Sequence, residues 1–414
     1  MLRSMFSGVS GLRSHQTMMD VIGNNISNVN TAGYKSSSVI FQDLLSQLLR
    51  GAGSPQNGVG GSNPAQVGLG VKLAGISTNF NQGAAQLTGR SNDLSISGDG
   101  FFVVQAGPET LYTRAGSLSF DTNGQLVTPD GGVVQGWTAL AGVINTNDAI
   151  GNLQLPLGTL LPPTRTSLAE VSGNLPANAT VYAAGPPEVG TRIVTSTTVY
   201  DGQGLEYPIT YEFLNTGPNA WTLNIRDSAS TVIGTSGAGG LTFAPATGVL
   251  VGPTTITVTP LGASWGGNTI ALSTTGLSQF GTQRTVTPLS QNGSTMGSLQ
   301  SFNISQDGTL TGVFSNGLTQ SIGQIALAGF NNPGGLEKAG NSMFRSTVNS
   351  GLPQVGVTGS GGRGLLNGGT LEMSNVDLAA EFTNLIVAQR GFQANSRIIT
   401  ASDELLQDLV NLKR

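Results

Sequence analysis

The chain has 414 residues, enough for two or three domains with cores of their own. Only 10% of them are charged and the net charge is −4, which offers no electrostatic footprint for nucleic acid or for an anionic membrane surface. Cysteine is absent, which removes disulfides, thiolate metal sites and cysteine nucleophiles together.

The first predicted element is an amphipathic helix over residues 1–30. Met5, Leu12, Met19 and Ile26 recur every seven residues, with Ile22 and Val29 on a neighbouring stripe, the spacing of a coiled-coil seam. Its end is unusual. In NNISNVNTAGYK (24–35), Asn24, Asn25, Asn28 and Asn30 crowd a helix that then stops on Gly33. Asparagine is a mediocre helix residue because its amide competes for backbone hydrogen bonds, whereas glycine permits the left-handed stop that a helix end favours. The opening MLRSMFSGVSGLRSHQ has no apolar run of the length a signal peptide needs. No stretch of about 18 apolar residues marks a membrane span.

Residues 31–72 read as a linker: a short apolar piece, VIFQDLLSQLL, precedes a segment rich in Gly, Pro and Asn. Strand signals begin near Val71. Phe101 to Val104 is an apolar run, and Phe120 to Trp137 alternates strands with turns at Asn123-Gly124 and at Pro129-Asp130-Gly131-Gly132. A similar block, Ser301 to Phe344, carries Asp307-Gly308 and Asn316-Gly317 turns. Between them the style shifts. From about 146 to 285 prolines cluster and Thr/Val alternations such as TRIVTSTTVY appear, and no residue from Ser228 to Gln283 is charged. This predicts a β domain (146–285) inserted into a loop of another β domain, whose halves are 73–145 and 286–374. The last element, 375–414, is a helix capped by Asn375 or Asp377. Leu378, Leu385, Phe392, Ile399 and Leu406 recur every seven residues, flanked by Phe382, Leu409 and Val410. Each seam alone is an exposed apolar stripe, so each needs a partner: the other helix, or copies of the chain. The alternative is two ordinary helices packed on a globular core.

Chemistry-bearing patterns are sparse. The single histidine, His15, falls within the N-terminal heptads, where a packing or surface role is the ordinary one. The adjacent carboxylates Asp403-Glu404 lie on the polar face of a heptad helix. Gly359-Ser-Gly-Gly-Arg-Gly364 matches a dinucleotide-binding spacing, but LLNGG follows it instead of a helix. Asp121-Thr-Asn-Gly124 resembles the start of a calcium loop without the later ligands, and a hairpin turn explains it. The expectation is no enzyme, no cofactor and no metal.

Three segments carry a resemblance. MLRSMFSGVSGLRSHQTMMDVIGNNISNVNTAGYK (1–35) resembles the N-terminal signature of the bacterial flagellar rod and hook family. DLSISGDGFFVV (93–104) and TRAGSLSFDTNGQLVTPDGGVVQGW (113–137) resemble that family's shared β domain, and 371–410 resembles its C-terminal helix. Distal rod members lack the large insertion. This chain has it, and TTVYDGQGLEYPITYEFLNTGPNAW (197–221) is similar to a hook insertion.

The resemblance implies a mainly β, multidomain fold: two nested β domains, with the terminal helices forming a coiled-coil-like inner domain. It also implies a subunit that polymerises into the curved, flexible hook, a universal joint between rod and filament. Partners would be further copies, the distal rod protein, the hook cap, the hook–filament junction proteins and the flagellar type III export apparatus. Nucleic acid and membrane insertion are not expected. The location implied is the extracellular hook, reached without a cleaved signal peptide. Self-assembly would use the heptad residues of both helices. The family motif would comprise Asn24, Asn25, Asn28, Asn30, Gly33, Tyr34, Asn375, Asp377, Gln389 and Arg390, the asparagine amides bonding neighbouring subunits and setting register. A rigid rod subunit is the nearest alternative, a secreted β-rich adhesin or binding module a more distant one, and a glycosidase the last.

Overall fold

A computed structural model describes the chain except residues 1, 56–59, 157, 159, 186, 262–264, 282 and 412–414, and describes only the backbone of residues 2, 3, 409 and 410. The chain forms two compact units. The first comprises Met1–Leu155, Phe302–Thr311 and Ser321–Arg414, and the second Pro156–Ser301 and Gly312–Gln320.

In the first unit, helix α1 spans Leu2–Ser27 and helix α2 spans Leu378–Asn411. Glycines at 8, 11 and 23 weaken α1 as an isolated helix, so its stability depends on tertiary packing. The N-terminus of α2 is well made. Asp377 Oδ1 accepts the N–H groups of Ala379 (2.9 Å) and Ala380 (3.2 Å), and Glu381 adds negative charge in the first turn. Of the two predicted caps, Asp377 is the one used.

Strands β1 (Ser37–Asp43), β2 (Ser46–Arg50) and β3 (Ala65–Gly68) occupy the predicted linker region, and β4 (Val71–Thr78) starts where strand signals were expected. They make a two-stranded antiparallel ribbon, β1 on β4 and β2 on β3. No described residue of these four strands is buried, and Ile40, Phe41, Leu48, Leu49, Leu73 and Ile76 are exposed. A lone two-stranded ribbon is marginal in water.

The β body follows with β5 (Ala85–Leu87), β6 (Leu94–Ser97), β7 (Phe101–Ala106) and β8 (Glu109–Thr113). A Gly107-Pro108 turn joins β7 to β8, with Gly107 at φ +62°. These strands pair with strands from the far end of the chain. Residues 327–329 lie on β7, 343–345 on β8, 365–368 on β6 and 370–372 on β5. That interleaving brings both chain termini to one place. The core is aromatic: Phe101, Tyr112 and Phe344 are buried, Phe80 and Phe330 pack on them, and all meet edge to face at 4.8–5.9 Å. The Asn123-Gly124 turn is as predicted, Asp121 Oδ1 accepting the N–H groups of Asn123 and Gln125. The glycine run 359–364 closes on itself through Gly359 N–H to Gly364 O (3.0 Å) and precedes a strand.

The second unit is all β. One sheet orders strands 192–200, 206–217, 220–226, 241–243 and 250–252, and the other orders 255–258, 270–280, 168–176 and 287–291. Residues of both sheets enter one core, among them Val171, Tyr211, Phe213, Trp221 and Leu272, joined by Trp265 from the connection between strands 255–258 and 270–280. This is the arrangement of a β-sandwich. Period-two alternation drives it: in AWTLNIR (220–226) every second residue is buried. The fold is multidomain and mainly β with a helix at each end.

Candidate functional site

The helical pair and its junction with the β body form the candidate site. The helices run antiparallel. Gly8 faces Asn395 and Ile399, Gly11 faces Asn395, His15 faces Gly391, and Asn25 reaches Glu381. The heptad residues line this pair unevenly. Ile22 is buried, while Met5, Leu12, Met19, Ile26 and Val29 are half-buried, as are Leu385, Phe392, Ile399 and Leu406. Leu378 and Phe382 are 40% and 51% exposed, so the chain itself leaves that end of the seam open. The Leu409 side chain lies outside the described residues.

Closest approach comes from small residues that heptad counting passes over. A Cβ on Gly11 would stand 2.7 Å from the Asn395 amide, and one on Gly391 would stand 2.5 Å from the His15 ring. Gly8, Gly11, Ser14, Ala388 and Ser402 are all buried. His15 fills the space that Gly391 leaves and meets Phe41 at 5.9 Å, a packing role. The available signal was the Gly8-x-x-Gly11 spacing.

At the junction, the asparagines divide. Asn25 is 1% exposed. Its amide donates to Ser37 O (2.7 Å) and Glu381 Oε1 (3.0 Å), and its Oδ1 accepts from Ser37 N–H (3.0 Å) and the Tyr34 hydroxyl (3.2 Å). Every donor and acceptor of that amide is therefore used inside the chain. Asn28 donates to Asn24 O and Oδ1, both at 2.9 Å, and accepts from Thr31 Oγ1 (3.1 Å). Asn24 and Asn30 stay exposed. Asn375 does not cap α2. Its Oδ1 accepts Ser36 N–H (2.8 Å) and its amide donates to Asn79 O and Asn81 O, tying three segments together. Gln389 and Arg390 are exposed on α2. Gly33 has φ +69° and donates to Glu372 O (2.7 Å). A Cβ there would meet Ala115 N at 2.5 Å, so both conformation and space require glycine.

Beneath these lies a charged cluster that the sequence reading did not single out. Lys35 Nζ meets Glu372 Oε1 at 2.7 Å and Asn81 O at 2.7 Å, while Arg114 Nη1 stands 3.4 Å from Glu372 Oε2. Gly83 N–H adds a bond to Glu372 Oε1 (2.9 Å). Burial holds the Lys35 ammonium below its usual pKa, against the opposing pull of Glu372. Tyr34 is pushed up by burial and then by Glu381, and Glu381 is itself raised by burial. Among the described residues no group of three or more His, Cys, Asp or Glu gathers as a metal site, and no helix is long and apolar enough to cross a membrane.

Four protein families match the chain in order. "Flagella basal body rod protein" covers residues 5–35, "Flagellar hook protein FlgE/F/G D1 domain" 95–170, "Flagellar basal body protein FlaE D2 domain" 174–294 and "Flagellar basal body rod FlgEFG protein C-terminal" 367–412. The chain is 41% identical to the flagellar hook protein FlgE of Treponema pallidum over the whole of both chains. It is 33% identical to the basal-body rod protein FlgG of Bacillus subtilis, again over the whole of both. The crystal structure of Helicobacter pylori FlgE2 shares the fold, with TM-score 0.53 and 15% identity, over 70% of this chain and 100% of that one. The matched segments coincide with the helical pair, the asparagine junction and both β units, and identity is higher to the hook relative than to the rod relative. The chain belongs to the flagellar hook protein FlgE family.

Proposed function

We propose that this chain is a structural subunit, not an enzyme, that polymerises into the curved tubular hook and transmits torque from rod to filament. The observation that carries this reading is the uncovered apolar surface at the chain ends: Phe6, Leu378, Phe382, Ile386, Val387 and Leu405 are exposed on helices that already pack on each other. Such surface calls for further copies, and head-to-tail contacts whose rotation does not close produce an open helical polymer.

In this reading the helices (1–30 and 375–414) form the inner domain, with residues 31–72 as the segment outside them. The β domain of 73–145 and 286–374 lies around them, and the insertion of 146–285 is outermost. The heptad residues of both helices make the inner contacts. Of the family-motif residues, Asn24, Asn25, Asn28, Asn30, Gly33, Tyr34, Asn375 and Asp377 set the geometry between helices and body, while Gln389 and Arg390 lie on the exposed face of α2. Of the asparagines, Asn25, Asn28 and Asn375 bond within the chain, and Asn24 and Asn30 face outward. The distal rod protein, the hook cap and the hook–filament junction proteins are the partners at the polymer ends. Subunits reach the hook through the flagellar type III export apparatus. A surface poor in charge suits a joint that bends each turn, because small neutral side chains slide among near-equal arrangements.

Electron microscopy of the purified chain under polymerising conditions tests the reading. Curved tubes are expected. Straight tubes would return it to the rod class, and ligand binding retained after deletion of both helices would favour a binding module.

A further inference from the structure

The ribbon and α1 enclose a groove of about 430 Å³, which Phe6, Val9, Leu69 and Leu73 line with apolar surface and Arg13 and Lys72 with charge. Val71 N–H donates to Ser10 Oγ (3.3 Å) and pins the ribbon to α1 there. Neither Arg13 nor Lys72 belongs to an ion pair among the described residues.

The C-terminal end of α2 carries the complementary pattern. Asn395, Ile399, Ser402 and Leu406 form the half-buried to buried stripe turned to α1. Beside it Ile398, which also borders Gly8 of α1, and Ala401, Leu405 and Asp408, at i, i+3, i+7 and i+10, form a second, exposed stripe with Glu404 alongside. Asp403, Glu404 and Asp408 are the charged residues of the helix from Asp403 to Asn411, and Lys413 and Arg414 follow it in sequence. Glu404 and Asp408 thus put negative charge along the exposed stripe.

We propose that the groove receives the C-terminal end of α2 from a second copy of the chain, Leu405 entering between Phe6 and Leu73 while Glu404 and Asp408 meet Arg13 and Lys72. This rests on the polymer reading above and specifies one of its contacts. Apolar anchors spaced i, i+3, i+7 in a groove with opposite charge at its edge are a general mode of helix docking. The chain's own α2 cannot make the contact. Gly11 faces Asn395 and His15 faces Gly391, so position 13 falls opposite residue 393. At about 1.5 Å per residue, Asp408 lies about 20 Å further along the axis from there.

The test is a charge exchange in the full-length chain. R13E/K72E is expected to raise the concentration needed for tube formation by about tenfold or more, and adding E404K/D408K to bring it back towards wild type. Tubes forming from R13E/K72E at the wild-type concentration would overturn the proposal. So would a loss that the exchange fails to reverse, given wild-type circular dichroism of both monomers. A second measurement removes dependence on those variants. L73C chains are mixed with L405C chains, the only thiols in a protein without cysteine, and tubes are oxidised. A disulfide-linked heterodimer is expected, and tubes without it would overturn the proposal. If the wild-type chain forms no tubes at all, it is the polymer reading that fails.

Discussion

Lys35 Nζ and Glu372 Oε1 meet at 2.7 Å, with side chains 0% and 1% exposed, although 337 residues separate them in the chain. One stands just after α1 and the other just before α2, so the pair closes the junction where both helices leave the β body. Arg114 completes it from the body itself.

Glu372 bridges two buried cations, so removing it leaves Lys35 and Arg114 both uncompensated, which costs about 3–5 kcal/mol. E372Q is expected to lower the melting temperature of the first unit and to weaken assembly. K35M is expected to cost less, because Arg114 still faces Glu372. The triple variant K35M/R114M/E372M is expected to regain most of the stability that E372Q loses, because no buried charge of the cluster remains. Calorimetry of the three variants checks this. A triple variant no more stable than E372Q would count against the account.

The helix glycines separate by environment. Gly11→Ala places a methyl 2.7 Å from the Asn395 amide and is expected to loosen the helical pair by about 1–3 kcal/mol. Nothing lies within 4 Å of the same atom at Gly23, so Gly23→Ala is expected to stabilise α1 by about 0.5–1 kcal/mol. Opposite shifts in the assembly midpoint, read by light scattering, are the outcome to look for.

In the second unit, Glu212 Oε1 and Oε2 accept from Arg192 Nε (2.7 Å) and Arg226 Nε (2.8 Å). Burial pushes this carboxyl up, but the hydrogen bonds from Arg226 and Arg192 outweigh it and hold the pKa below the ordinary carboxylate value. A depressed folded-state pKa means that the unfolded chain takes up the proton first. The stabilisation is therefore fully present above the unfolded carboxylate pKa of about 4.3 and is lost as pH falls through the folded value. Thermal melts of the second unit between neutral and acid pH are expected to show this slope, and E212Q to flatten it.

The terminal helices, weakened by glycine and open along one side, are expected to exchange their amides rapidly in the dilute monomer and slowly in tubes. Deuterium uptake of 2–27 and 378–411 measured in both states decides it. Helical amides protected in the monomer would show that assembly does not order them.

Much of the helical pair was legible, because Met5, Leu12, Leu385 and Phe392 repeat at a period only a helix seam explains. The small-residue approach was not. Gly8, Gly11 and Gly391 read as helix weaknesses until a facing helix comes close enough for the absent Cβ to matter. Turns at Asp121–Gly124 were legible because a side chain bonding its own backbone is a local event. Strand signals near Val71 coincide with β4, but the ribbon strands between 37 and 68 were not legible, since they bury nothing within the chain and so show no periodic pattern.

By itself, the sequence determined what neighbours along the chain decide: helical seams at each end, turn positions, β composition, and a family signature spread over the whole length. Tertiary structure alone decided which asparagine of NNISNVNTAGYK is buried, and that Lys35, Arg114 and Glu372 form one cluster. Those relations depend on strands from opposite ends of the chain pairing in one body, and distance along a sequence carries no information about distance across a fold.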